Sequence, residues 1–190
     1  TLDDIERLFG ETVARIIDGL TKISGVFDQN VSVQAENFRK MLLTIADDIR
    51  VILIKLADRL HNMRTMTSMP AHKQLKIASE TLFIFAPLAH RLGLHNVKTE
   101  LEDLSLKYTE PEVYRDIALK IKASKAGEIK YLKRFSAKIR DALKKEKFNF
   151  TIKERTKSIY SIRKKMVNQG VSFEEVYDKF AIRIIYDSTI

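Results

Sequence analysis

Apolar residues recur at helical spacing along nearly the whole of the first 147 residues, and the pattern then switches to strand, helix and strand. That order confines the chain to a helical part followed by the start of a mixed α and β part. Thr1 with Asp4 reads as a capping box for a short helix ending at Gly10, and Val13, Ile16, Ile17 and Leu20 mark a helix over 11–23. Residues 24–33, with Gly25, Asp28 and Asn30, read as a loop. Helices are predicted over 35–46, 49–66 and 71–85, the last preceded by Pro70. Pro87 predicts a break, because the residue before a proline is biased away from helical φ and ψ. Helix resumes over 88–92, stops at Gly93 and runs again over 97–108. Pro111 suits the first turn of a long lysine-rich helix over 112–147, with Ile117, Ile121, Ile129, Leu132, Phe135, Ile139 and Leu143 as its apolar stripe.

Beyond it, FNFTIK (148–153) alternates as a half-buried strand does. Residues 158–167 are helical, ending near Gly170, and Ser172 with Glu175 reads as a capping box with Val171 and Val176 as its hydrophobic staple. AIRIIYD (181–187) reads as a second strand, which puts Asp178 near a strand start.

At 190 residues and 45% hydrophobic, the chain can bury a real core in one domain or parts of two. It has no cysteine, which excludes disulfides, thiolate catalysis and cysteine-based zinc sites. No apolar run reaches the roughly 18 residues of a membrane span, and the first residues lack a basic n-region and an apolar h-region. The default expectation is a soluble cytoplasmic protein. Residues 1–119 hold 15 Lys+Arg against 17 Asp+Glu and residues 120–190 hold 19 against 8, so the net +9 resides in the C-terminal part. This asymmetry predicts a boundary near 120 and a C-terminal part suited to polyanionic nucleotides, or to salt-sensitive RNA binding.

The run ADRLHNMRT (57–65) sets Asp58, His61 and Asn62 at i, i+3 and i+4, where their side chains can converge. The preceding VILIKLA is apolar enough to be core, which predicts a buried Asp58 whose charge a metal or cation would relieve. Equally open is a plainer arrangement, with Asp58 paired to Arg59 or Arg64 and His61 hydrogen-bonded inside a helical core. A basic cluster follows in KERTKSIYSIRKKM (153–166). It reads as a phosphate site or as a solvated helix face, since Arg163, Lys164 and Lys165 are consecutive and cannot all point one way.

ADRLHNMRT, APLAHRLG (86–93) and ELEDL (100–104) resemble the HD-type hydrolase domain of the RelA/SpoT-homologue family, the enzymes that make and destroy (p)ppGpp. KERTKSIYSIRKKM and VYDKFAIRII (176–185) resemble the opening of the same family's synthetase domain, and the first 24 residues resemble the segment that follows the HD motif. The resemblance implies a mainly α chain: an all-helical HD-type hydrolase domain over 1–110, a helical linker over 111–147, and the start of an α+β nucleotidyltransferase-like synthetase domain over 148–190. It implies a manganese ion (Mn²⁺) at the hydrolase site, with Asp58 matching the last of the family's ligands. Asn62 is implied as a catalytic residue and Thr65 as a substrate contact, and His61 is not a ligand in the family. None of His61, His72, His90 and His95 is followed by Asp, so the HD pair is absent from the sequence and the expectation is that this chain does not hydrolyse (p)ppGpp.

For the synthetase half, the resemblance implies that Arg155, Lys157, Ser161 and Lys165 line the ATP side, that Asp178 binds magnesium (Mg²⁺), and that Arg183 faces Arg155 across the adenine. The chemistry suits those residue types, because pyrophosphoryl transfer depends on fixed cations, arginine is planar for stacking, and lysine is a compact charge for phosphate. Glu154 and Thr156 stand where many relatives carry Gly and Pro, and a carboxylate pairing with Arg155 would weaken the local positive field. The family's second acidic ligand and its acceptor-binding residues are expected beyond Ile190. The implied reactions are pyrophosphate transfer from ATP to the 3′-hydroxyl of GDP or GTP, and removal of that pyrophosphate from ppGpp or pppGpp. Any ribosome or tRNA link is expected through more distal regions, and no membrane is implied. The competing expectation, from another class, is a non-catalytic regulatory or RNA-binding module.

Overall fold

A computed structural model describes residues 1–27, 48–146 and 148–186, with side chains described throughout except at 23–27 and 125–131. The chain divides into two compact units, Thr1–Ser105 and Leu106–Ile190.

The first unit is helical. α1 (Leu2–Phe9) is closed by the Thr1–Asp4 capping box and ends at Gly10, whose φ of 84° suits glycine. α2 (Glu11–Phe27) runs further than the sequence predicts: Ser24–Phe27 continue the helix, a correction to the loop over 24–33, because Gly25 alone weakens a helix without ending it. The predicted helix over 35–46 lies outside the described residues. α3 (Ile49–Thr65) is capped by Asp48, whose side chain accepts from the Arg50 N–H, and buries Val51, Ile52, Leu56 and Met63. Helices α2 and α3 pack closely at Gly19, where a Cβ would lie 2.9 Å from Val51 Cγ2.

A 3-10 turn (Met66–Ser68) leads to α4 (Ala71–Glu80). The chain then passes without a break through a π turn (Thr81–Phe85) into α5 (Ala86–Arg91). The break expected at Pro87 is therefore corrected: Ala86 keeps helical φ −67° and ψ −45°, and its N–H bonds to the Thr81 carbonyl. The wider turn accommodates a proline that has no N–H to donate. Buried Thr81 fixes this segment by donating to the Ile77 carbonyl at 2.7 Å, with Met63 Sδ 3.4 Å from the same hydroxyl. Gly93, at φ 72°, ends α5 and α6 (His95–Thr109) follows.

In the second unit, α7 (Pro111–Lys145) starts with proline in its first turn, as expected. Of its predicted stripe Ile117 is buried while Phe135 is 46% exposed. β1 (Phe150–Thr156) and β2 (Phe180–Tyr186) form an antiparallel pair, with α8 (Ile159–Gln169) between them in sequence. β1 begins two residues later than its alternation suggests. α8 is capped by Ser158 and ended by Gly170 at φ 64°. The Ser172–Glu175 pair forms, with Ser172 N–H and Oγ both donating to Glu175 at 2.8 Å, but turns rather than a helix follow it. Their anchor is tertiary: Phe173 and Val176 are drawn into a core with Ile117 and Ile162, against which Val171 packs.

Candidate functional site

In the second unit the hairpin fixes which side chains share a face. Lys153 lies opposite Arg183, and Arg155 opposite Ala181. Alternation then puts Lys153, Arg155, Ala181 and Arg183 on one face and Glu154 on the other. Glu154 Oε1 accordingly lies 3.5 Å from Ser136 Oγ of α7. The sequence-based concern that Glu154 would pair with Arg155 is corrected by strand parity. Lys153, Arg155 and Arg183 are all exposed. Like charges directly opposite one another weaken a sheet, a cost that an anionic ligand on this face would offset.

At the end of the hairpin three elements meet on one carboxylate. Lys157, just past β1, is set beside the start of β2 by its backbone N–H, which donates to the Lys179 carbonyl at 2.8 Å. Its Nζ donates to Asp178 Oδ2 at 2.6 Å, and Lys165 Nζ of α8 reaches Oδ1 at 2.6 Å. Hydrogen bonds from Lys157 and then Lys165 hold the Asp178 carboxyl down to about 2. Ser161 lies in the first turn of α8, where its Oγ accepts from Ser158 Oγ at 2.8 Å. The three consecutive cations separate as expected: Arg163 turns back to Glu110 (2.6 and 2.9 Å), Lys165 goes to Asp178 and Lys164 is exposed. Of the predicted residues, Lys157, Lys165 and Asp178 are in direct contact, and Arg155 and Arg183 share a sheet face.

In the first unit, α3 carries Asp58, His61, Asn62 and Thr65, all of them exposed. The expectation of a buried Asp58 is corrected. The helix turns Val51, Ile52, Leu56 and Met63 inward, which leaves the polar face of ADRLHNMRT outward. His61 is likewise outside the core. Asp58 is not paired to its neighbouring arginines. Arg59 bonds Glu80 at 2.7 Å and lies 4.1 Å over the Phe85 ring, and Arg64 forks onto Glu100 at 2.6 and 2.8 Å. Convergence at i and i+4 is realised in one contact, Asn62 Nδ2 to Asp58 Oδ1 at 3.4 Å. Thr65 Oγ1 donates back to the His61 carbonyl at 2.9 Å.

Asn62 and Thr65 line a groove of about 750 Å³ together with Arg59, Met66, Met69, His72, Lys73 and Lys76. The turn that supplies Met66 and Met69 is held by Gln74, whose Nε2 shares its two hydrogens among the carbonyls of Met66 (3.0 Å), Thr67 (3.2 Å) and Met69 (2.9 Å). Sequence reasoning missed His72, Lys73 and Lys76. Their spacing, i, i+1 and i+4 along one helix, was the available signal. It also missed Lys153, which the period-two alternation places with Arg155.

Asp58 offers one hard oxygen donor, and the described residues contain no group of three His, Asp or Glu placed for a metal. They do not by themselves make a manganese site. Asp178 would supply one carboxylate to a magnesium ion, which commonly takes one or two and completes its shell with phosphates and water, once its contacts with Lys157 and Lys165 are exchanged. No helix among the described residues is long and apolar enough to cross a membrane.

Comparison with known proteins finds matches over both parts of the chain. The family described as HD domain matches residues 1–95, and the family described as region found in RelA / SpoT proteins matches residues 154–190. A GTP pyrophosphokinase of Myxococcus xanthus is 45% identical over 97% of this chain and 25% of its own length. A probable guanosine-3′,5′-bis(diphosphate) 3′-pyrophosphohydrolase of Synechocystis is 46% identical over 99% of this chain and 25% of its own length. A bifunctional (p)ppGpp synthase/hydrolase of Escherichia coli, SpoT, is 42% identical over 100% of this chain and 27% of its own length. The chain thus spans about a quarter of the length of these curated relatives.

Proposed function

The chain belongs to the RelA/SpoT-homologue family, and from that footing we propose that it carries parts of two opposed guanine-nucleotide sites. The second unit holds the ATP side of a site that transfers pyrophosphate to the 3′-hydroxyl of GDP or GTP. The first unit holds one wall of a site that removes that pyrophosphate from ppGpp or pppGpp. The observation that carries the reading is the meeting of Lys157, Lys165 and Asp178 at the end of a sheet face bearing Arg155 and Arg183.

Arg155 and Arg183 are diagonal neighbours, a relation that separates them by about 7–8 Å. A ring stacked at about 3.5 Å from each guanidinium fills that gap. Ala181, opposite Arg155, is small enough to leave the space open. A base held there directs its phosphates along the face towards Lys157 and Lys165, whose ammonium groups offset the triphosphate charge. Ser161, in the first turn of α8, sits at the positive end of a helix dipole, which favours the same anion. Magnesium, when bound at Asp178, supplies further neutralisation of the phosphate oxygens.

In the first unit, Asn62 and Thr65 line the groove and contact nucleotide, and His72, Lys73 and Lys76 line it with them. The Asp58 carboxylate is the donor this chain contributes to manganese. With no His-Asp dipeptide in the sequence, its own residues do not support (p)ppGpp hydrolysis. A soluble, cytoplasmic setting accords with these substrates.

Calorimetric titration with Mg²⁺–ATP and with ppGpp tests the assignment. Arg155→Ala and Arg183→Ala are expected to abolish ATP binding while leaving ppGpp binding intact, and Asn62→Ala to do the reverse. Loss of neither, together with salt-sensitive binding of RNA to the wild-type chain, would replace this reading with that of a basic regulatory module.

A further inference from the structure

Both oxygens of Asp178 are taken, one by each lysine: Oδ2 accepts from Lys157 and Oδ1 from Lys165, each at 2.6 Å. The three groups come from separately anchored pieces of chain. Lys157 is fixed by its backbone bond to Lys179, at 2.8 Å. Lys165 lies on α8, which is held by buried Ile162 and by the Arg163–Glu110 pair. The contact is therefore built into the fold, and it occupies the same atoms that the two ligands of the proposed site require. A divalent cation needs the carboxylate, and a polyphosphate needs the ammonium groups.

We propose that Lys157, Lys165 and Asp178 form an interlock that makes binding of a divalent cation and of a polyphosphate mutually dependent. This deepens the reading of the second unit as an ATP site and rests on it. A cation arriving alone must displace two ammonium groups and then sit beside them unshielded. A metal-free polyphosphate arriving alone must draw the lysines away and face a bare carboxylate. When both arrive together, the two lysine–carboxylate bonds are exchanged for lysine–phosphate and carboxylate–cation contacts, and no charge is left without a counterpart. The site thus loads the metal complex of a nucleotide and resists either component alone.

Two binding measurements on the whole chain test this, with far-UV circular dichroism confirming that each variant folds. In excess EDTA, Asp178→Asn is expected to bind ATP at least about tenfold more tightly than the wild type, and in excess Mg²⁺ to bind it more weakly. With no nucleotide present, the double variant Lys157→Gln/Lys165→Gln is expected to bind Mn²⁺, read by electron paramagnetic resonance, at least about tenfold more tightly than the wild type. That gain should vanish when Asp178→Asn is added. Equal Mn²⁺ affinity in the wild type and the double variant would overturn the interlock, as would an Asp178→Asn chain that gains nothing towards metal-free ATP. Should ATP bind to no form under any condition, the ATP assignment fails and the interlock with it, while unchanged ATP binding to the wild type with an equal Mn²⁺ affinity in the double variant overturns the interlock alone.

Discussion

Ile162 is one of the fully buried side chains at the centre of the second unit, and truncating it should unfold much of that unit. It is fully buried, and its neighbours Ile117, Phe173 and Val176 are 0%, 5% and 1% exposed. The walls of the resulting cavity cannot easily close. α8 is fixed at both ends by Ser158 and Gly170, and the turn carrying Phe173 is tied by the Lys179 ammonium to the Phe173 carbonyl at 3.1 Å. Ile162→Ala should therefore cost about 3–4 kcal/mol, around the middle of the range for such truncations, and Ile162→Val about 1 kcal/mol. A unit the size of Leu106–Ile190 holds about 4–13 kcal/mol in total, so the alanine variant removes a large share of it. The chain has no tryptophan, so hydrogen exchange is the better reporter than fluorescence. Amides of β1, β2 and α8 should lose protection in proportion to the two costs. An alanine variant costing under about 1 kcal/mol would refute the picture of a rigid, sealed core.

Glu100 is held below its ordinary carboxylate range of 4.5, first by the hydrogen bonds from Arg64 and then by its charge. A carboxylate lowered on folding contributes stability that is complete above its unfolded value and drains away as pH falls through the folded value. Between neutral pH and about pH 3 the wild type should thus lose up to about 1 kcal/mol that Glu100→Gln does not lose, measured by urea melts at each pH. Gln74→Leu strips the donor from the carbonyls of Met66, Thr67 and Met69. It should destabilise the turn by about 1–2 kcal/mol, speed exchange at the Met69 amide, and weaken ppGpp binding in the groove. An unchanged exchange rate would show that the turn stands without it.

What could be read directly from the sequence was mostly local. The Thr1–Asp4 box, Gly10, Pro111, Ser158 and Gly170 act within a turn or so of themselves, and each ends or begins an element as expected. Which side of a helix is buried is a different matter, because it depends on distant partners. The run VILIKLA is apolar all round, so it does not reveal that Leu53 and Ile54 remain 42% and 44% exposed while Val51, Ile52 and Leu56 turn inward. For the same reason Asp58 looked buried and is not. Ser172 and Glu175 show the opposite error, since the local bond forms but the core claims Phe173 and Val176 before a helix can propagate. The residues proposed for the nucleotide site were picked out by their motifs, whereas the ion pairs that join Lys157 and Lys165 to Asp178 span 21 and 13 positions and needed the folded hairpin.

The π turn at Thr81–Phe85 has a consequence for what changes the first unit tolerates. A helix behaves as an angular ruler, each residue advancing the side-chain direction by about 100°. One additional residue in a turn resets the phase of everything after it. Here the reset delivers Leu88 and Ala89 to the interior, at 1% and 0% exposure, and leaves Phe83 outside at 69%. Deleting one residue from this turn would restore a regular ladder locally, yet it would swing Leu88 and Ala89 away from the core and return Pro87 to a ladder that cannot admit it. Substitutions in this segment are matters of size and polarity, whereas a change in its length alters the bearing of α5.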